Sequence, residues 1–344
     1  MLLSIVVPVL NESDLLRECL RGIQRCSGPR PQVIVVDDGS SNDYREKIEA
    51  VTSEFGQTLV VLDRHEGPSA ARNRGFRSSS GEIVLFLDSD VIPHADCLER
   101  VVEAFQTQPD LAGLMGSYDS DPSDPGLVSQ YRNLLHSYIH HSSQGAAESF
   151  WTGCGAVRRD AFIAAGGFNE VYDRPSIEDV EFGVRLVASG RHIVLDPAIQ
   201  VQHQKGWTFT SMIETDLLYR ALPWTVLAWS GAGLPTNLNF TQPRRASVAG
   251  TFAATIVLPL YAVNHVFLWI SILILATVGV LNLPFFRWLY LRKGLRFACL
   301  SVFFHWLHYF TSGLGFLFGT AVALKIWVIS TEIKARRAEE DLSE

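Results

Sequence analysis

Residues 83–90 form an apolar run, Ile83 to Leu87, that stops abruptly at Asp88-Ser89-Asp90. Two carboxylates one residue apart are hard oxygen donors, a type that shares a divalent cation with a phosphorylated ligand. Without a cation the pair would repel a phosphate group, so the chemistry itself calls for a metal. Placement matters as much as residue type. A buried parallel strand needs the apolar run, and open α/β sheets bind ligands beyond the carboxyl ends of such strands.

Other segments pair chemistry with an element end. Val33–Val36 leads into Asp37-Asp38-Gly39-Ser40-Ser41. This is a turn signature in which Gly39 takes positive φ; at a sheet edge its carboxylates can also accept hydrogen bonds from a base or ribose. Gly67-Pro68-Ser69-Ala70-Ala71-Arg72-Asn73-Arg74-Gly75 opens a helix with small residues, which suits close packing. Its N–H groups and arginines can also face phosphates. Ser176-Ile177-Glu178-Asp179 fits a capping box, a reading that explains Asp179 without catalysis. Each segment alone is explained by local structure.

The elements that must position these residues follow from the apolar pattern. Ser4–Val9, Val33–Val36, Leu59–Leu62 and Ile83–Leu87 read as strands. Leu15, Leu16, Cys19, Leu20 and Ile23 recur at helical spacing, and Ala70–Ser78 also reads as a helix. Alternating strands and helices predict βα units and a mostly parallel sheet. Right-handed crossovers then bring the ends of the first, second and fourth strands to one edge. Farther on, the pattern predicts a helix over 95–106, a strand over 111–117, a loop over 119–126 and a strand over 150–157. A helix over 177–189 and a short strand over 192–195 follow.

Taken in order, Pro8-Val9-Leu10-Asn11-Glu12, Val36-Asp37-Asp38-Gly39-Ser40, Gly67 with Ala71-Arg72-Asn73, and Asp88-Ser89-Asp90 resemble the family-2 glycosyltransferases. The resemblance continues through Gly166-Gly167-Phe168 and Glu178-Asp179 to about His203. It implies the α/β, A-type glycosyltransferase fold, a nucleotide-sugar donor with UDP favoured, a divalent metal (Mg2+ or Mn2+) and inversion at the anomeric carbon. Carried onto this chain, it puts Pro8, Asp37 and Asp38 at the nucleoside and Asp88 toward the donor ribose and sugar. Arg72 is read as donor-binding beside the phosphates, and Trp151 as lining the donor-sugar or acceptor side, with a core position as its alternative. Asp90 would hold the metal, with His203 as a further ligand, and Asp179 would be the general base. Gln202-His203-Gln204-Lys205-Gly206-Trp207 departs from the Gln-x-x-Arg-Trp signature of processive polysaccharide synthases, so processive synthesis is not expected.

Composition changes sharply near Arg244-Arg245. Ser247–Leu283 and Phe297–Ile329 are nearly free of charge, and each exceeds the ~20 residues of a membrane-spanning helix. The net charge of −7 therefore averages two unlike halves. Scattered basic residues argue against nucleic acid as a partner. Five cysteines without paired spacing argue against a disulfide framework. The start, Met1–Leu10, lacks a basic region and contains Pro8, so it is not read as a signal peptide.

The expected organisation is a catalytic domain over 1–206, an amphipathic or interfacial linker over 207–245, transmembrane helices over 246–330 and a charged tail over 331–344. Pro259 and Asn264-His265 interrupt the first apolar block, Gly313 and Gly315 the second. If the basic clusters at Arg244-Arg245, 287–296 and 334–337 all lie in the cytoplasm, each block crosses twice. The expected location is thus the cell membrane, multi-pass, with the catalytic domain cytoplasmic. His305 and His308, one turn apart in the second block, are candidates for either a functional or an uncharged interfacial role.

An anchor beside a transferase makes a lipid or lipid-linked acceptor the natural expectation, polyprenyl phosphate among the possibilities. The alternative is a membrane assembly or transport partner whose nucleotide-sugar domain only binds.

Overall fold

The computed structural model describes residues 1–230, 235, 236 and 238–341, with side chains as far as Ile326. Two compact units form: Met1–Phe209 with Pro235–Asn239, and Thr210–Leu234 with Phe240–Glu344. The expected tail over 331–344 lies outside the described residues in its side chains and last three positions.

The first unit begins β1 (Leu3–Val9), α1 (Asp14–Arg25), β2 (Gln32–Asp37), α2 (Asn42–Glu54), β3 (Thr58–Val61), α3 (Pro68–Ser78) and β4 (Ile83–Leu87). It continues β5 (Val91–Pro93), α4 (Cys97–Thr107), β6 (Leu111–Tyr118), α5 (Leu127–His141), β7 (Gly145–Ala147) and β8 (Cys154–Arg158). The helices α6 (Arg159–Ala164) and α7 (Glu178–Ala188) then lead to β9 (His192–His203). One nine-stranded sheet has the order β3-β2-β1-β4-β8-β6-β9-β5, with β7 also on β9.

Strands β3, β2, β1 and β4 are parallel. As expected, the ends of β1, β2 and β4 therefore share an edge. The sheet as a whole is mixed rather than mostly parallel, because β8 returns antiparallel between β4 and β6, and β5 and β7 run antiparallel to β9. The strand expected over 150–157 is shorter: Phe150–Gly153 precede it, and pairing starts at Cys154 opposite Leu87. The piece expected over 192–195 extends to His203, with a register shift against β6 between Leu195 and Gln200.

Strand alternation sorts the core. Leu3, Ile5, Val7, Val9, Val33, Val35, Leu85 and Leu87 face one layer with Leu16, Leu20, Leu98 and Phe105. Phe86 points the other way, within 5.0 Å of Phe168 and 5.5 Å of Phe162, ring centre to ring centre. Each such side chain contributes about 1.5–3 kcal/mol on burial. By the same two-residue period, Asp88 belongs to the Phe86 side. That alternation decides which helix Asp88 meets.

The second unit comprises α8 (Phe209–Glu214), a π-helical stretch over Thr215–Ala221, α9 (Leu222–Trp229), α10 (Gln242–Val257), α11 (Val266–Leu281) and α12 (Leu283–Asp341). A short 3-10 turn at Leu258–Ala262, containing Pro259, separates α10 from α11. The second apolar block does not break at Gly313 or Gly315. Within α12 the single non-helical residue is Gly294, at φ 81°. Gly313 and Gly315 instead admit neighbours: a Cβ at Gly313 would meet the Phe252 ring at 2.7 Å, and one at Gly315 would meet Ala221 at 2.3 Å. Small residues let helices approach closely. Two helical stretches, Gln242–Ala262 and Leu283–Ile326, are long and apolar enough to cross a membrane, and Val266–Leu281 is a shorter apolar helix.

The two singled-out histidines lie in polar company. His305 Nε2 donates to Asn282 Oδ1 at 3.1 Å, and His308 Nδ1 lies 2.8 Å from Asp216 Oδ2.

Candidate active site

The edge beyond β1, β2 and β4 gathers most of the expected residues. Half-buried Pro8, next to last in β1, lies opposite Val36. Asp37 closes β2, fully buried, its Oδ1 accepting the Ser40 N–H at 2.9 Å and its Oδ2 3.5 Å from Arg45 Nε. Asp38 organises the next loop: its carboxylate accepts the N–H groups of Glu66 at 2.8 Å and Gly67 at 3.0 Å, and Oδ2 lies 2.9 Å from His65 Nδ1. Burial raises the Asp38 pKa, offset in part by the Glu66 N–H and His65.

Gly39 shows why that turn needs glycine. Its φ is 73°, and a Cβ there would sit 2.1 Å from the Arg64 carbonyl carbon. The first and second loops are joined as well, since the Asn11 N–H donates to Ser40 Oγ at 2.8 Å and the Ser41 N–H to Asn11 Oδ1 at 2.9 Å.

Arg72 is turned inward from α3. Its guanidinium donates through Nη2 to Asp88 Oδ1 at 2.8 Å and through Nη1 to Glu178 Oε1 at 2.9 Å. Burial works against its charge, but Asp88 and Glu178 more than compensate and raise its pKa. Asp88 is pushed up by burial and by Asp90, with Arg72 opposing.

Asp90 and His203 come together through strand pairing, because Val91 sits opposite His203 and the Gln204 N–H donates to the Asp90 carbonyl at 2.9 Å. His203 Nδ1 donates to Asn133 Oδ1 at 2.6 Å, and Nε2 lies 3.4 Å from Asp90 Oδ2. The ring stacks on Tyr118, with centroids 4.3 Å apart. Burial acts to raise the Asp90 carboxyl, but His203 and Lys205 bring it below the ordinary value.

These residues fit a divalent cation. Asp90 Oδ1 is buried with no hydrogen-bond partner among the described residues. The 3.4 Å between Nε2 and Oδ2 suits two ligands on one ion, since bonds of about 2.0–2.2 Å near a right angle put donor atoms about 3 Å apart. The Asn133 bond fixes the imidazole tautomer, as carbonyl partners of metal-binding histidines do. Among the described residues no group of three or more histidine, cysteine or acidic side chains is placed to hold an ion. A diphosphate and water would have to supply the remaining ligands, the usual arrangement for Mg2+.

Asp179 stands in the first turn of α7. Ile177 takes the N-cap position, so the helix does not use the Ser176 register of a capping box. The Asp179 carboxylate accepts the Val180 N–H at 2.7 Å and, more weakly, the Thr152 N–H at 3.4 Å. Desolvation and then the Glu178 charge push its pKa up to about 7. A carboxyl poised there can take a proton at neutral pH. Trp151, next to Thr152, packs edge-to-face on Tyr118 and on His140, each with centroids 4.8 Å apart.

Asn133, Tyr118 and Glu178 were not singled out as site residues from sequence. A signal for Asn133 existed: Arg132, Asn133, His136, Ser137 and His140 repeat at helical spacing as a polar stripe.

Residues 4–166 match the family described as Glycosyl transferase family 2. Glycosyltransferase AglE of Haloferax volcanii is 35% identical over 114 residues, 32% of this chain and 38% of that protein. The pre-mycofactocin glycosyltransferase of Mycobacterium tuberculosis is 30% identical over 213 residues, 58% of this chain and 42% of that protein. An undecaprenyl-phosphate 4-deoxy-4-formamido-L-arabinose transferase of Edwardsiella ictaluri is 34% identical over 145 residues, 41% of this chain and 44% of that protein. The match thus spans less than half the length of each of these relatives.

Among solved structures, mannosyltransferase PcManGT from Pyrobaculum calidifontis, in complex with GDP-Man and Mn2+, aligns with a TM-score of 0.52 at 18% identity. That alignment covers 94% of this chain and 86% of the other, a likeness of fold. The chain therefore carries, in its first unit, a glycosyl transferase family 2 domain built on the A-type glycosyltransferase fold.

Proposed function

We propose that this protein is an inverting, metal-dependent glycosyltransferase that moves a sugar from a nucleotide-sugar, a UDP-sugar by preference, to a lipid or lipid-linked acceptor. The observation that carries this reading is the Arg72 bridge. One guanidinium ties Asp88, at the donor edge, to Glu178, the neighbour of Asp179. The donor-facing carboxylate and the candidate base thus belong to one charged network.

In the proposed reaction an acceptor hydroxyl oxygen attacks the anomeric carbon as the bond from that carbon to the diphosphate oxygen breaks. Asp179 takes the hydroxyl proton, and the nucleoside diphosphate leaves with the bonding pair. Asp90 and His203 would hold the cation, Mg2+ or Mn2+, which when bound supplies positive charge to the diphosphate. Asp88 is oriented by Arg72 toward the donor, and Pro8, Asp37 and Asp38 shape the nucleoside end.

The two long apolar helical stretches support a location at the cell membrane; multi-pass insertion with the catalytic unit cytoplasmic is part of the proposal. Leu273 and Val280 on α11 are each 70% exposed, and Phe318 and Leu324 in the apolar part of α12 are 54% and 53% exposed. Apolar faces of this kind mark contact with another apolar phase. The name of the Edwardsiella relative, an undecaprenyl-phosphate transferase, makes polyprenyl phosphate a leading acceptor to test.

The test uses the detergent-solubilised full chain with Mn2+, a panel of nucleotide sugars, and lipid acceptors with and without a phosphate. Transfer in the native protein, reduced by about 10²–10⁴ in Asp179→Asn, is the expected result. Donor binding without hydrolysis or transfer would overturn the enzyme reading in favour of a binding partner. Transfer to a lipid phosphate that is insensitive to Asp179→Asn would reject the base, because that nucleophile is already ionised.

A further inference from the structure

Glu178 has no role in the reaction as drawn, yet it is the most enclosed carboxylate near Asp179, at 3% exposure. Its Oε1 accepts from Arg72 Nη1 at 2.9 Å and its Oε2 from the Ser176 N–H at 2.8 Å. The other arm of the Arg72 fork is held by Asp88, and the guanidinium lies over the Phe168 ring, 5.9 Å from its centre. A planar fork stretched between two carboxylates is a geometry lysine cannot reproduce. Both hydrogen-bonding arms of Arg72 go to Asp88 and Glu178, and none goes to Asp179.

The charged groups around Asp179 are Glu178 on its own helix, Arg72 from α3 and, beyond Arg72, Asp88 from the end of β4. From the β8 side it receives only the Thr152 N–H, at 3.4 Å. Three carboxylates therefore surround one guanidinium, and two of them, Asp88 and Glu178, are hydrogen-bonded to it. Glu178 takes part of that cation's charge and adds its own.

Resting on the glycosyl-transfer reading, we propose that Glu178 is a positioning residue that couples the two halves of the reaction. By clamping Arg72 it holds Asp88 toward the donor, and by its negative charge beside Asp179, only partly offset by an Arg72 shared with Asp88, it strengthens Asp179 as a proton acceptor. The directions on Asp179 agree, with Glu178 acting to raise its pKa and Arg72 to lower it. Glu178→Gln should therefore weaken the base and also loosen Asp88.

The pH profile of kcat/KM separates this role from simple structural support. With the full chain in detergent, the acidic limb of Glu178→Gln should move down by about one pH unit, with kcat reduced roughly tenfold. Glu178→Asp keeps the charge and should leave the limb in place. Arg72→Gln removes the opposing cation and should move the limb up, which keeps the proposal testable if Glu178→Gln does not fold.

An unmoved limb in a folded Glu178→Gln protein that still binds nucleoside diphosphate would overturn the proposal. So would a downward or absent shift in Arg72→Gln. Asp179→Asn is the control. If it retains the native limb, the base assignment itself fails; if it loses the limb while Glu178→Gln leaves it unmoved, only the role of Glu178 fails.

Discussion

Asn73 and Phe168 hold each other by a pair of hydrogen bonds: Asn73 Nδ2 donates to the Phe168 carbonyl at 2.8 Å, and the Phe168 N–H donates to Asn73 Oδ1 at 2.9 Å. The clasp fastens α3 to the loop that precedes α7. Arg72, one residue earlier, is thereby carried to Glu178. Two motifs separated by about ninety positions in the chain are thus halves of one joint, and the joint positions the charged network at the sheet edge.

Breaking the clasp should cost stability before it touches chemistry. In Asn73→Ala the Phe168 N–H and carbonyl lose their partner in a buried setting, a penalty of roughly 2–4 kcal/mol for the two groups. Thermal unfolding of the two proteins side by side measures it. An unchanged midpoint would mean that the loop is held by other contacts.

The metal half makes a separate prediction. Asp90→Asn should abolish the Mn2+-dependent part of nucleoside diphosphate binding, as read by calorimetry. Asn133→Leu removes the acceptor that orients His203 and should weaken the same binding about tenfold. Equal affinity in Asn133→Leu and the native protein would show that His203 needs no such support.

Much of this arrangement is legible in the sequence, and the rest is hidden for identifiable reasons. The runs that form β1, β2 and β4 are almost entirely apolar in their middles because both faces of those strands are covered, so they stand out from the chain. The three-residue strands β5 and β7 carry too few residues to show a period, yet β5 is what brings Asp90 to His203. Helix α5 escapes notice because it is buried nearly all round, with polar Arg132, Asn133, Ser137 and His140 interleaved with Tyr131, Leu134, Leu135 and Ile139, so no apolar stripe stands out. Glycines at 313 and 315 read as breaks, but they are packing positions. The motifs name Arg72 and Glu178 without revealing that they touch, since nothing local in either segment points to the other.

Asp179 ties stability to pH in a direction opposite to most carboxylates. Its folded pKa is about 7, above its ordinary value of 3.8. The folded state therefore binds the proton more tightly. The resulting stabilisation is complete below about pH 4 and is lost as pH rises through 7. At pH 8 the ionised group is a cost to the fold, and Asp179→Asn should raise stability there by about 1–2 kcal/mol, reduced from the full linkage value because Asp179 keeps part of its surface open to water. The same variant should gain little at pH 4.5. A mutant less stable than the native protein at pH 8 would refute the raised pKa. Activity should follow the opposite course, falling as pH drops below 7 and the base takes up its proton.

In the second unit Asn282 is a hub among apolar helices. Its Nδ2 donates to Ser247 Oγ on α10 at 2.9 Å and to the Val278 carbonyl at 2.8 Å; its Oδ1 accepts from His305 Nε2 at 3.1 Å and from the Tyr309 hydroxyl at 2.7 Å. One amide thus joins α10, the end of α11 and α12. In an apolar setting each lost partner strands a donor or acceptor, although such bonds between helices are individually worth only about 0.6–2 kcal/mol. Asn282→Leu should therefore lower the thermal midpoint of the detergent-solubilised protein, whereas Ser247→Ala, which removes a single partner, should do so by a smaller step. If both variants melt with the native protein, packing alone holds these helices together and the amide is incidental.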